Sequence, residues 1–217
     1  MKNTLVVVCI DETDTKEPGQ WVSDRAKYDL VYLCYSKDKK FITRLRAFGQ
    51  PVFCVDSGKW KNLKWFCDST KIIRCRYGHF WFPDPDLVMD VDSVNMFLRY
   101  ARKFDLCQPS LTQNSICSHK FLKQIAGSEF RQSEFVEVMC PCFSKRALKQ
   151  LLWTFDLSYS GYGLDLLWAK YVTGYVIDAV SIRHPRDQGF VRRAKEKGFP
   201  EPMEELREIK RRYEIRY

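Results

Sequence analysis

Phe80-Trp81-Phe82-Pro83-Asp84-Pro85-Asp86-Leu87 ends an aromatic, strand-like run on two carboxylates one residue apart. Side chains at i and i+2 of a strand share one face, so Asp84 and Asp86 can converge on one point if the extended geometry persists through Pro85. Two converging carboxylates repel unless a cation lies between them or one keeps its proton. Oxygen ligands of this kind suit a hard divalent ion, Mg²⁺ or Mn²⁺, and such an ion at a strand end can hold a diphosphate. The bland alternative is an Asp/Pro turn closing the strand, and the dipeptide pattern alone favours it. The rest of the chain shifts that balance.

The 217 residues suffice for one well-cored domain and are short for two. A hydrophobic fraction of 45% with 15% aromatics indicates a folded chain. No apolar run reaches the length of a membrane span. Met1–Ile10 leads straight into Asp11-Glu12 without a small-residue cleavage site, and reads as a buried first strand rather than a signal peptide. The nine cysteines form no disulfide or zinc framework, which points to reduced thiols and a cytoplasmic setting. A net charge of +9 favours anionic partners without choosing among nucleic acid, membrane and phosphorylated small molecules.

Working outward, Leu5–Ile10, Leu30–Tyr35, Pro51–Val55, Lys71–Cys75 and Phe80–Phe82 read as buried strands. Helices are expected around Phe41–Phe48 and over Lys59–Asp68. Strands alternating with helices predict an α/β domain with a largely parallel sheet, whose ligands bind beyond the carboxyl ends of the strands. Asp92–Lys103 has helical apolar spacing, and Leu106–Leu111 is extended. Residues 112–134 are polar and irregular, and Phe135–Phe143 reads as a strand. Lys145–Trp153 and Leu164–Val172 read as helices, and Tyr175–Ile182 as a last strand running to His184. From about Pro202 the chain reads as a charged surface helix, within a tail over 190–217.

Neither nucleotide motif survives inspection. Gly161-x-Gly163 lacks the third glycine of a dinucleotide fingerprint, and Gly58-Lys59 is followed by Trp60, with Phe53 in the place of the first P-loop glycine. Asp165, just beyond two glycines, is by itself a carboxylate suited to a helix start. It could equally accept a proton from a substrate hydroxyl. His184 at a strand end could complete an oxygen-rich metal site, although a lone histidine is more often structural.

Taken in order, Lys64-Trp65-Phe66, the 80–87 run, Gln108-Pro109-Ser110-Leu111, Phe135–Ser144 with its Cys140-Pro141-Cys142, Gly161-Tyr162-Gly163-Leu164-Asp165 and Val176-Ile177-Asp178-Ala179 form a series. Over roughly residues 28–190 this series resembles the DUF707 family, which looks like compact glycosyltransferases of the GT-A fold. In size and layout the chain is also similar to the GT-A domains with which chloroviruses glycosylate their capsid protein. The resemblance implies one GT-A domain over 1–217, with a mostly parallel central sheet flanked by helices. It implies a hexosyl- or deoxyhexosyltransferase using a nucleotide-sugar donor, a UDP-sugar, with Mn²⁺ or Mg²⁺. The implied acceptor is a glycan or glycoprotein, a viral capsid glycoprotein included, which for a virus would place the enzyme in the host cytoplasm.

By the same resemblance, Asp84 and Asp86 are the DxD pair that holds the metal against the donor diphosphate, and His184 is the third ligand. Lys64, Glu137 and Ser36 join the nucleotide-sugar site, and Asp165 is the acidic residue that meets the acceptor or donor. Two departures stand out: Pro85 occupies the middle of DxD, and Leu166 follows Asp165 where a second carboxylate is common. Retention or inversion of the sugar stays open. So do two other readings: a metal-dependent nucleotidyltransferase or sugar-nucleotide pyrophosphorylase, which usually has an N-terminal glycine-rich loop absent from Val8-Cys9-Ile10-Asp11, and a basic nucleic-acid-binding module, disfavoured because the aromatics lie in strand-like runs.

Overall fold

A computed structural model describes residues 2–13, 17–56, 58–72, 75–117, 119–185 and 200–215. Eight strands form one sheet: β1 (Thr4–Ile10), β2 (Asp29–Cys34), β3 (Val52–Cys54), β4 (His79–Trp81), β5 (Leu106–Leu111), β6 (Arg131–Ser133), β7 (Cys142–Ser144) and β8 (Gly174–Ile182). Their order is β3-β2-β1-β4-β7-β5-β8-β6. β7 runs antiparallel to both its neighbours and β6 antiparallel to β8, while the remaining pairings are parallel. Six strands therefore point the same way, and β4, β5 and β8 all deliver their carboxyl ends to one edge.

The apolar runs are continuous because the sheet is covered on both faces. Along β1 the residues alternate: Val6, Val8 and Ile10 enter one core with Tyr32, Trp81 and Phe97, while Leu5, Val7 and Cys9 enter the other with Leu33, Phe80 and Phe143. Helices α1 (Lys39–Arg46) and α3 (Val91–Ala101) cover the first face. On the second lie α2 (Lys59–Ser69), α4 (Lys145–Leu151), α5 (Leu164–Ala169) and α6 (Pro202–Arg212). The Asp38, Asp90 and Ser144 side chains cap α1, α3 and α4 by accepting from backbone N–H groups of the first turn. Trp60, Phe155 and Trp168 meet edge to face at the centre of the second core, with Trp60 centroids 4.8 and 5.2 Å from its two partners. Truncating any of them would cost roughly 3–5 kcal/mol.

Three expectations need correction. Lys71–Cys75 forms no strand among its described residues: Lys71 takes φ +50° in a turn, and Ile73 and Arg74 lie outside the described residues. Phe135–Phe143 is a strand only from Cys142. Phe135, Val136, Met139 and Cys140 bury their side chains from a loop that turns at Cys140 N–H to Glu137 O, 3.3 Å, so apolar content there reflects burial and not sheet pairing. Residues 112–134, read as irregular, contain a 3₁₀ turn at Lys120–Leu122 and the polar edge strand β6. An ion pair from Arg131 to the buried Asp178 of β8 holds that segment to the sheet. The tail helix is α6; residues 186–199 lie outside the described residues.

Candidate active site

The carboxyl edge of the sheet gathers most of the expected residues. Asp84 and Asp86 follow β4, with Asp84 N–H donating to Met139 O at 2.8 Å. His184 follows β8. The chain after the acidic pair and the chain before the histidine are joined directly, Val88 and Arg183 exchanging two backbone hydrogen bonds of 2.8 and 3.0 Å. His184 Nε2 thereby sits 3.7 Å from Asp86 Oδ2. Its Nδ1 lies 2.7 Å from Ile116 O. A carbonyl can only accept, so Nδ1 carries a proton and Nε2 faces the carboxylate.

Burial opposes charge on His184, yet the Asp86 carboxylate 3.7 Å away, the Ile116 carbonyl and the nearby Asp84 raise its pKa to about 9. The Asp84 side chain keeps 37% of its surface open to water. Surrounding protein still raises its pKa, opposed by Lys59 and reinforced by Asp86.

Lys59, the first residue of α2, is the residue that reading the sequence missed. Its Nζ donates to Asp84 Oδ1 at 2.6 Å, to Val138 O at 2.7 Å and to Met139 O at 3.3 Å. The signal was present: Gly58-Lys59 is no P-loop, but a lysine opening a helix next to the strand ends still delivers a cation there. Lys64, one turn further along, instead forms ion pairs with Asp68 and Asp156, and is not brought to the carboxylates.

Glu137 and Asp165 complete the group. The backbone of Glu137 is fixed by its N–H to the Oε1 of the buried Gln108, at 2.5 Å. Its pKa rises to about 7, chiefly through burial, with the Asp165 charge adding to it. Asp165 lies in the first turn of α5, 8% exposed, with Oδ1 accepting from Leu166 N–H at 2.8 Å. Burial outweighs its backbone hydrogen bonds and lifts its pKa to about 7. Gly163 starts α5 with φ +89°, a backbone open to glycine at little cost. Ser36 sits buried beyond β2, its Oγ accepting from Asp38 N–H at 2.9 Å. Among the described residues, no hydrogen bond or ion pair is seen between it and the acidic group. Asp11, beyond β1, is a buried carboxylate on the same edge, accepting from Thr13.

Among the described residues no three His, Cys, Asp or Glu side chains form a ready-made cation site. The donor chemistry nevertheless fits a divalent ion. Asp86 and His184 stand at a separation that one ion could bridge with bonds of about 2.1 Å. Asp84 keeps a second carboxylate oxygen beyond the one held by Lys59. Binding at Nε2 would displace a proton from a histidine otherwise charged at neutral pH. Two cavities of about 460 and 560 Å³ lie elsewhere, lined by residues such as Arg146 and Tyr171, and Lys120 and Ile125. None of the acidic group lines either, so the chemistry of the strand ends outweighs cavity size as a guide. No helix among the described residues is long and apolar enough to cross a membrane.

No protein-family model and no curated protein matches the sequence. Solved structures do match. GalNAc-T7 with UDP, GalNAc and Mn²⁺ superposes with a TM-score of 0.61 at 10% identity, over 83% of this chain and 42% of that one. S. aureus TarS superposes with a TM-score of 0.55 at 11% identity, over 85% and 37%. TarS 1–349 in complex with UDP gives 0.53 at 12% identity, over 82% and 59%. The chain thus spans less than two thirds of the length of each of these proteins. At such identities the likeness speaks to architecture: the chain has the α/β fold of GT-A glycosyltransferases.

Proposed function

We propose that this chain is a metal-dependent glycosyltransferase that moves a hexosyl or deoxyhexosyl group from a UDP-sugar to a hydroxyl of a glycan or glycoprotein. The observation that carries the reading is the meeting of Asp84, Asp86, His184, Lys59, Glu137 and Asp165 at the carboxyl edge of a GT-A sheet. The UDP and Mn²⁺ in the neighbouring structures support it. Asp84, Asp86 and His184 would hold Mn²⁺ or Mg²⁺, which when bound neutralises charge on the leaving diphosphate. Lys59 replaces Lys64 in the proposal as the cation nearest the phosphates. In transfer, the acceptor oxygen attacks the anomeric carbon, the bond to the diphosphate breaks, and UDP leaves with the electron pair. Asp165, titrating near neutrality, accepts the hydroxyl proton in an inverting reaction. Glu137 shares its enclosure and orients the sugar. Ser36 after β2 and Asp11 after β1 are assigned to the nucleoside end of the donor on the strength of their place at the carboxyl ends of their strands.

Calorimetry of UDP with Mn²⁺ and then with EDTA tests the reading. Binding should require the metal. Asp86→Ala should abolish it, whereas Asp165→Ala should bind UDP normally and lose turnover. Equal UDP binding by both variants and wild type would remove the metal-site assignment.

A further inference from the structure

The loop that presents Asp165 is held from outside the sheet, by a residue of the charged C-terminal helix. Glu205 of α6 collects four hydrogen bonds from three consecutive residues. Its Oε1 accepts from Tyr159 N–H at 2.6 Å, and its Oε2 accepts from Ser160 N–H at 2.9 Å, Ser160 Oγ at 2.5 Å and Ser158 Oγ at 3.0 Å. The same hydroxyls pass the constraint forward, because Ser158 Oγ accepts from Gly161 N–H at 2.8 Å and Ser160 Oγ from Tyr162 N–H at 3.1 Å. Every backbone N–H from Tyr159 to Tyr162 is thereby fixed, directly or through one hydroxyl, by a single carboxylate.

Contacts around the loop leave it little choice of position. Gly161, at φ +90°, lies so close beneath Trp60 that a Cβ there would fall 2.2 Å from the indole Nε1. A Cβ on Gly163 would press on Ile209 of α6 at 3.2 Å, and one on Gly58 would meet the Tyr159 ring at 2.7 Å. Gly58 is the residue that starts α2 and precedes Lys59. The loop anchored by Glu205 therefore touches the start of the helix that carries the phosphate-side lysine and itself starts the helix that carries Asp165.

We propose that Glu205 is a positioning residue of the transfer reaction, setting the Ser158–Gly163 loop so that Asp165 meets the acceptor hydroxyl. This rests on the reading of Asp165 given above. A carboxylate accepting several charge-assisted hydrogen bonds is a strong anchor. A displacement of about 1 Å in a reacting group can cost on the order of 100-fold in rate.

The test compares wild type with Glu205→Ala and Ser160→Ala, the latter removing one hydroxyl while leaving α6 untouched. Three quantities are read: amide hydrogen exchange at residues 159–162, UDP affinity with Mn²⁺ by calorimetry, and UDP release from UDP-GlcNAc, UDP-glucose and UDP-galactose. Glu205→Ala should expose these amides to exchange, keep UDP affinity within about twofold and lower kcat on the order of 100-fold. Ser160→Ala should give a smaller loss of the same kind. Faster exchange with an unchanged kcat, or a kcat loss fully matched by lost UDP affinity, would overturn the positioning role. Unchanged exchange would overturn the anchor itself. Should Glu205→Ala fail to fold, Ser160→Ala alone decides, and unaltered exchange and kcat there refute the proposal. If wild type shows protected amides but binds no UDP and releases none, the transferase reading fails and the positioning role falls with it, while the anchor stands.

Discussion

Replacing Asp165 by Asn should make the protein more stable while removing its activity, and the size of the gain follows from burial. The carboxyl is 8% exposed and is pushed from an ordinary 3.8 to about 7. In the window between those values the folded chain holds a proton that the unfolded chain has released. Unfolding free energy therefore falls as pH rises through the window, and the full cost is present above pH 7. A gap of about three pH units at ~1.4 kcal/mol each sets a ceiling of about 4 kcal/mol. Water drawn to the buried charge lowers the effective cost, so a gain of roughly 2–4 kcal/mol is expected for Asp165→Asn at pH 8. For a chain of this length that raises Tm by roughly 5–10 °C. At pH 5 the gain should shrink to less than half. Asn keeps a carbonyl oxygen for the Leu166 N–H, so the hydrogen bond at the helix start survives the change. Urea and thermal melts of both proteins in EDTA at pH 5 and pH 8 measure the difference. A variant no more stable than wild type at pH 8, or a gain equal at both pH values, would refute the idea that Asp165 is held near neutrality by burial.

Two further outcomes are expected. In metal-free protein, Asp86→Asn should drop the His184 pKa from about 9 toward the ordinary 6.5, followed by the imidazole C–H resonance in an NMR titration. The stabilisation from that pair is fully present below pH 6.5 and lost as pH rises through about 9, so the wild-type advantage over the variant should fade in alkali. Lys59→Met should destabilise the fold by roughly 1–3 kcal/mol in denaturant melts, because Asp84 loses its ion pair and the Val138 carbonyl loses the Lys59 donor, while Met139 O keeps Asp84 N–H; unchanged stability would contradict the arrangement at α2.

What the sequence made legible was largely what the sheet enforces. β1 and β2 are buried on both faces, so their apolar runs are unbroken, and the helices show one apolar stripe each. The Asp84/Asp86 pair could be placed because an aromatic strand must end before two carboxylates. The misreadings arose where side-chain burial and backbone pairing part company. Phe135–Pro141 fills space between elements without joining a ladder, and β6 joins a ladder while being polar. Local pattern reports only the first of these properties. Glu205 was opaque and Lys59 only half legible. Gly58-Lys59 marked a lysine opening a helix near the strand ends, but Lys59 and Glu205 act on partners 25 and more than 40 positions away, and nothing adjacent in the chain names those partners. His184 was visible as a strand-end residue, but its approach to Asp86 depends on the Val88–Arg183 pairing, a tertiary fact.

That pairing divides the acidic group into two unequal halves. Asp86 and His184 are stitched together through the main-chain hydrogen bonds of the Val88–Arg183 bridge, which need no particular side chain and are lost only where proline removes an N–H. Asp165 depends on side-chain contacts to a helix distant in sequence. A protein engineer could therefore vary residues 158–165 together with the facing positions of 202–212 as one exchangeable cassette. The Asp86–His184 half would be inherited from the backbone provided Tyr159, whose ring packs on Gly58 at the start of α2, is kept, so new acceptors for the proposed transfer could be sought with that half in place.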